Sequence, residues 1–74
     1  MKDIKVLEKI LCDIFQKKLE DVKKLSYEEN DEWDSLKHME IIVSLEDKLG
    51  LELSEDQMLE ITTYNKILHL VAQR

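Results

Sequence analysis

Hydrophobic residues in this chain recur three and four positions apart, which is the spacing of one face of an α-helix. The first stretch keeps this spacing at Ile4, Leu7, Leu11, Ile14 and Phe15. We therefore expect a first helix over about residues 3–17. No segment of useful length alternates with a period of two, so the pattern predicts an all-α fold.

A second helix is predicted from about residue 35 to residue 49. Gly50 follows it and can adopt the left-handed conformation that ends many helices. The residues between the first two helices, 18–33, read as a long polar connection, and so long a loop in so small a domain tends to be functional. The residues that could pin it to the core are Val22, Leu25 and Tyr27.

Two further helices follow Gly50. Ser54 begins a short one, because Ser54 to Gln57 fits the capping-box pattern. Either Thr62 or Thr63 caps a last helix that runs to about Gln73. Together the four segments predict a small four-helix bundle, three longer helices plus one short helix, in a single domain of 74 residues.

The second predicted helix has two apolar faces. One carries His38, Ile41, Ile42, Leu45 and Leu49. The opposite one carries Leu36, Met39 and Val43, mixed with the carboxylates of Glu40 and Asp47. The helix is either buried on both sides or leaves the second face at the surface to dock a partner. The carboxylates favour the docking face, because unpaired carboxylates are almost never fully buried.

The net charge of −6 is unevenly distributed. Residues 1–25 carry seven lysines against five carboxylates, whereas residues 26–62 carry two lysines against twelve carboxylates. Such a field repels nucleic acid and anionic lipid and attracts basic partners. We therefore expect no nucleic-acid partner. No apolar run approaches the roughly 20 residues of a membrane span, so we expect no membrane partner either.

The sequence lacks the residue combinations and spacings of a catalytic or metal site. The chain has one cysteine, which fits a reducing cytoplasm. Cys12, His38 and His69 lack zinc-site spacing. Ser35 and His38 are three positions apart, but no residue is evident to orient the histidine in a catalytic triad. The pattern therefore argues against a serine hydrolase.

Ser35, at the head of the second helix, admits two interpretations. It can be the helix N-cap, a role that serine commonly has. Alternatively Asp34 caps the helix and Ser35 is the first helical residue. Its hydroxyl is then free for modification beside open backbone N–H groups that can hold a phosphate.

Four short motifs together resemble the acyl carrier protein family. They are Asp34-Ser35-Leu36, Leu45 to Leu49, Leu53 to Asp56, and Ile61-Thr62-Thr63. The similarity runs without a gap from Asp34 to about Val71. A three-residue motif would be weak alone, but its combination with the downstream spacing and the acidity is strong.

The resemblance implies that Ser35 carries 4′-phosphopantetheine, transferred from coenzyme A by a phosphopantetheinyl transferase. The thiol of that group would hold acyl or aminoacyl intermediates as thioesters. Further partners would be an acyl- or aminoacyl-loading enzyme and a downstream synthase or transferase. The protein would be a cytoplasmic monomer that carries substrates between enzymes and is not itself an enzyme.

The resemblance also implies roles for other residues. Asp34 would contact the transferase near its metal. The recognition face would comprise Leu36, Met39, Glu40, Val43, Glu46 and Asp47, with a contact from Ile61. The core where some carriers enclose an acyl chain would be lined by Ile42, Leu45, Leu49, Met58, Ile61 and Ile67.

Three departures from the family pattern refine this expectation. Trp33 precedes the attachment motif, Lys37 stands where an acidic residue is common, and Met58 is larger than the usual residue. They favour a specialised pathway over housekeeping fatty-acid synthesis, with a short, polar or aminoacyl cargo. The alternative is a helical protein-interaction module without a prosthetic group.

Overall fold

The computed structural model describes residues 2–73, which form five helices. They are α1 (Lys2–Phe15), α2 (Leu19–Val22), α3 (Ser35–Leu49), α4 (Glu55–Glu60) and α5 (Tyr64–Ala72). The all-α prediction is confirmed. Three longer helices are present as expected, but there are two short ones rather than one, because the predicted connection over residues 18–33 contains α2.

The core lies where α1 packs against α3 and α5. Each helix contributes the apolar stripe that its sequence spacing predicts. The buried side chains of these three helices are Leu7, Ile10, Leu11, Phe15, Ile41, Ile42, Leu45, Leu49, Tyr64, Ile67 and Val71. Because α3 lies against α1 on one side only, its opposite side stays at the surface.

The interpretation of residues 18–33 as a polar connection was wrong in part. This segment forms α2 and buries Trp33, which was not expected. Val22 and Leu25 are buried, as predicted. Trp33 is only 1% exposed, and its ring lies 5.2 Å from the ring of Phe15. A helix of one turn is too short for hydrophobic periodicity to detect. Tyr27, in contrast, is exposed.

The predicted helix boundaries after residue 34 are confirmed. Gly50 ends α3 in the left-handed conformation, with φ 65°. Ser54 and Gln57 form the reciprocal capping box of α4. Thr63, not Thr62, caps α5 by accepting a hydrogen bond from the backbone N–H of Lys66.

Hydrogen bonds connect α5 and the residue pair before it to the amino-terminal half. The backbone N–H of Tyr27 donates to the carbonyl of Thr62 at 2.9 Å. The Tyr64 hydroxyl donates to the Glu8 carboxylate on α1, also at 2.9 Å. Burial, assisted by that hydrogen bond and by the negative charge of Glu8, raises the pKa of Tyr64 to about 12.

Within residues 2–73, no helix combines the length and the apolar character needed to cross a bilayer.

Candidate functional site

Asp34 caps α3. Its backbone is extended (φ −94°, ψ −177°), and its carboxylate accepts the N–H of Lys37 at 2.8 Å. Its carbonyl accepts the N–H of His38 at 2.9 Å, which is the first hydrogen bond of the helix. Of the two interpretations of Ser35, the structure selects the second: Asp34 is the N-cap and Ser35 is the first helical residue.

Ser35 presents a free hydroxyl. The residue is exposed, and its side chain makes no hydrogen bond to any residue from 2 to 73. The N–H groups of Ser35 and Leu36 belong to the first turn of a 15-residue helix, where backbone donors have no intrahelical acceptor. These donors and the positive end of the helix dipole favour an anion. The site therefore fits a phosphate ester on Ser35.

One turn further along α3, His38 joins three segments of the chain. The indole Nε1–H of Trp33 donates to Nδ1 of His38 at 3.0 Å. Nε2 of His38 lies 2.7 Å from the carbonyl oxygen of Met58 on α4. The ring of Tyr27 approaches the imidazole edge-on, with centroids 4.9 Å apart. His38 lies on the inner face of α3, and Trp33, Met58 and Tyr27 orient its ring, which the sequence pattern did not indicate.

The outer side of α3 is an exposed apolar strip, formed by Leu36, Met39 and Val43. These side chains are 68%, 55% and 56% exposed. Together with neighbouring residues of α1 and α3 they line a shallow groove of about 370 Å³. The two-faced character predicted for this helix is therefore confirmed, and burial on both sides is excluded.

Carboxylates border this apolar strip, as the sequence pattern predicts. Glu40 lines the groove and is exposed, and Asp47 is exposed two turns further along α3. Glu46 is half-buried. With the exposed Asp34 at the start of the helix, these groups give the outer side of α3 a negative rim around an apolar centre.

Ile61 does not belong to this surface. Its side chain is 2% exposed and packs in the core, so it offers a partner no accessible apolar group. The sequence analysis assigned Ile61 both to the core and to the recognition face, and the structure places it in the core. Leu59, which was not singled out, is 75% exposed on α4.

Most of the residues expected to enclose an acyl chain pack together in the hydrophobic core. Ile42, Leu45 and Ile67 are buried against each other and their neighbours. A cavity of about 430 Å³ lies between α4 and α5 instead. Of the six residues expected to line an acyl cavity, only Ile61 borders it.

Lys37 acts within the molecule. Its Nζ donates to the carbonyl of Ile14 at 3.1 Å, in the last turn of α1. Carbonyls in this turn have no intrahelical donor, and a cation there is favoured by the helix dipole. The ammonium that departs from the family pattern thus stabilises the α1–α3 contact.

The thiol of Cys12 is poorly placed to react in competition with the Ser35 hydroxyl. It is a free thiol, half-buried on α1. Burial, and then the charges of Asp13 and Glu8, raise the pKa of the thiol. The reactive thiolate is correspondingly scarce near neutral pH.

A small helical fold with an exposed, unbonded serine hydroxyl at the head of a long helix meets the structural requirements of a covalent carrier. The family model for a phosphopantetheine attachment site matches residues 5–71. The chain belongs to this family, as the resemblance to acyl carrier proteins predicts, and it is a phosphopantetheine-carrying carrier protein. Members of the family carry covalently attached 4′-phosphopantetheine.

Comparison with curated proteins found no match, and comparison with solved structures found none either.

Proposed function

We propose that Ser35 is the residue that carries 4′-phosphopantetheine and that the whole chain, residues 1–74, acts as one carrier domain. The observation behind this proposal is the free hydroxyl of Ser35, the first residue of α3. Asp34 caps the helix, and two open backbone N–H groups lie beside the hydroxyl. The alternative, an interaction module without a prosthetic group, would give no role to the free hydroxyl and the open N–H groups.

The chemistry at Ser35 is a phosphoryl-group transfer. Ser35 Oγ forms a phosphodiester with the pantetheine phosphate of coenzyme A, adenosine 3′,5′-bisphosphate leaves, and the hydroxyl proton passes to a base of the transferase. When attached, the group supplies a terminal thiol that holds an acyl or aminoacyl unit as a thioester. The chain itself supplies the positioned oxygen, the backbone donors and the docking surface.

Partner enzymes would be recognised by the outer side of α3. Leu36, Met39 and Val43 supply the apolar contact, and Glu40, Glu46 and Asp47 supply charge complementarity to a basic rim. Asp34 would face the transferase near its metal. The partners are the transferase, a loading enzyme and a downstream synthase or transferase.

The cargo in this proposal is short, polar or aminoacyl, and the pathway is specialised rather than housekeeping. Support comes from the packing of Ile42, Leu45 and Ile67 in the core and from Met58, which packs against that core from α4. Intact-mass analysis of the carrier isolated from its host checks this point. Mostly short or amine-bearing forms are expected, and mostly C12–C18 acyl forms would refute it.

We place the protein in the cytoplasm as a monomer. The unpaired Cys12 and the requirement for coenzyme A both suit that compartment.

Thiol counting tests the attachment site, because Cys12 is the only cysteine. The Cys12→Ala variant has no thiol, so each thiol gained after incubation with coenzyme A and a transferase belongs to the attached group. We expect one thiol per chain in Cys12→Ala and none when Ser35→Ala is added. A thiol that persists without Ser35 would contradict the assignment.

A further inference from the structure

The contacts of His38 fix the protonation of its ring. The indole N–H of Trp33 can only donate, so Nδ1 of His38 is the acceptor of that 3.0 Å bond. The carbonyl of Met58 can only accept, so Nε2 of His38 carries the hydrogen and donates across 2.7 Å. Both bonds thus require one neutral tautomer, and in it both ring nitrogens are satisfied.

The helix that His38 holds has little else to retain it. α4 is six residues long and contributes no fully buried side chain. Half-buried Met58 packs against the core, and Leu53 and Ile61 pack there from the flanking segments. Helices so short depend on tertiary contacts for their position. The bond from His38 to the Met58 carbonyl is therefore a principal tie between α4 and α3.

This tie lies next to the attachment site. Ser35 and His38 are three residues apart, which places them on neighbouring positions of one helix face. Four residues beyond His38 on the same face, Ile42 is buried. The seam between α3 and α4 is consequently the first route from Ser35 into the apolar interior, and His38 stands at its start.

An apolar cargo tethered at Ser35 would gain free energy by leaving water for that interior, in proportion to its apolar area. The gain is available only if α4 can separate from α3. Trp33 anchors the acceptor side of His38 by packing on Phe15, so the imidazole cannot turn away without losing the indole hydrogen bond.

We propose that His38 is a positioning residue that keeps α4 closed on α3 and so excludes cargo from the core. The cargo then stays outside the bundle, accessible to partner enzymes and to water. This inference rests on attachment at Ser35, but it concerns where the cargo resides rather than whether it is attached.

The test uses the full chain loaded with octanoyl-phosphopantetheine from octanoyl-coenzyme A, with the mass gain confirmed first. Methyl NMR then compares the octanoyl and the unacylated loaded forms. In the wild type, the core signals of Ile42, Leu45 and Ile61 should not move. Movement of those signals in the wild type would overturn the proposal, whatever the variants do.

Two substitutions at position 38 separate the hydrogen bonds from the space they occupy. His38→Gln keeps both a donor and an acceptor, and we expect it to behave as the wild type. His38→Met keeps similar bulk without either function, so octanoylation should shift the core methyl signals. His69→Met, at the exposed second histidine, is the matched control and should leave them unchanged.

The outcomes distinguish the two proposals. No mass gain at all would refute attachment at Ser35. A mass gain with unmoved core signals in His38→Met would refute the role of His38 while leaving attachment intact. Equal shifts in His38→Gln and His38→Met would also refute it, because the hydrogen bonds would then be irrelevant.

Discussion

At the scale of single residues, Asp34 and Ser35 divide two tasks that one serine could have combined. Asp34 accepts one backbone donor of the first turn of α3, the N–H of Lys37, and Ser35 keeps its hydroxyl uncommitted. In a serine that capped the helix, the oxygen accepting that hydrogen bond would become a bridging ester oxygen, which is a weaker acceptor. Because the cap is the neighbouring residue, modification leaves the helix start intact.

Truncation of Met39 tests whether the exposed apolar strip of α3 contributes to the stability of the fold. Its side chain is 55% exposed, so Met39→Ala should cost less than about 1 kcal/mol of unfolding free energy, whereas truncating a core residue costs about 2–5 kcal/mol. Urea unfolding measures both, with Ile41→Ala as the buried control on the same helix. A loss of several kcal/mol in Met39→Ala would show that the strip is part of the core.

Tyr64 makes the stability of the fold sensitive to alkali. Its pKa is raised from 10 to about 12, so the folded state holds the phenol proton more tightly than the unfolded state. The associated stability is complete below pH 10 and is lost as the pH rises through 12. Absorbance titration of the Tyr27→Phe variant, in which Tyr64 is the only tyrosine, should give a midpoint near 12.

The control for this titration is Glu8→Gln, which removes the carboxylate that accepts the Tyr64 hydroxyl. The midpoint should fall toward 10 without returning fully, because burial remains the first cause of the shift. A midpoint near 10 in the Tyr27→Phe protein would contradict the buried, hydrogen-bonded placement of Tyr64.

At the scale of elements, the inner side of α3 packs in the core and its outer side is exposed. The first turn of the helix holds Ser35, the proposed attachment site. The substitution Asp34→Asn keeps an N-cap on α3 but removes the negative charge of the carboxylate. Asparagine caps as well as aspartate, so unfolding free energy should change by less than about 1 kcal/mol. Loading by the transferase should nevertheless slow, because the carboxylate is gone.

Ser54→Ala is the matched control for that experiment. It removes the N-cap of α4 and should cost about 1 kcal/mol of stability while leaving the loading rate unchanged. Unchanged loading of Asp34→Asn, or slowed loading of Ser54→Ala, would count against a direct role for the Asp34 carboxylate.

Sequence reasoning succeeded for elements whose signals are local. Asp34 and Gly50 mark the ends of α3, and the spacing of its apolar residues predicted both its buried and its exposed side. It failed where contacts join distant segments. The hydrogen bond of His38 to Met58 spans 20 positions, and the burial of Trp33 depends on Phe15 across the fold. Periodicity describes one helix at a time and carries no information on such pairs.

At the scale of the whole molecule, charge is segregated along the chain, and residues 26–62 hold most of the negative charge. Glu40→Lys and Asp47→Lys should each slow association with the transferase, by an effect that shrinks in salt. Stopped-flow measurement at low and high ionic strength checks this. Glu20→Lys, an equal charge change on α2, is the control, and equal slowing by all three would contradict a localised docking face.

The most direct test of the account is the mass of the protein after incubation with coenzyme A and a phosphopantetheinyl transferase, followed by fragmentation. We predict a gain of one phosphopantetheinyl group that maps to Ser35 and is absent from Ser35→Ala. A protein that gains no mass under conditions that load a known carrier, or a group that maps to another residue, would contradict the account.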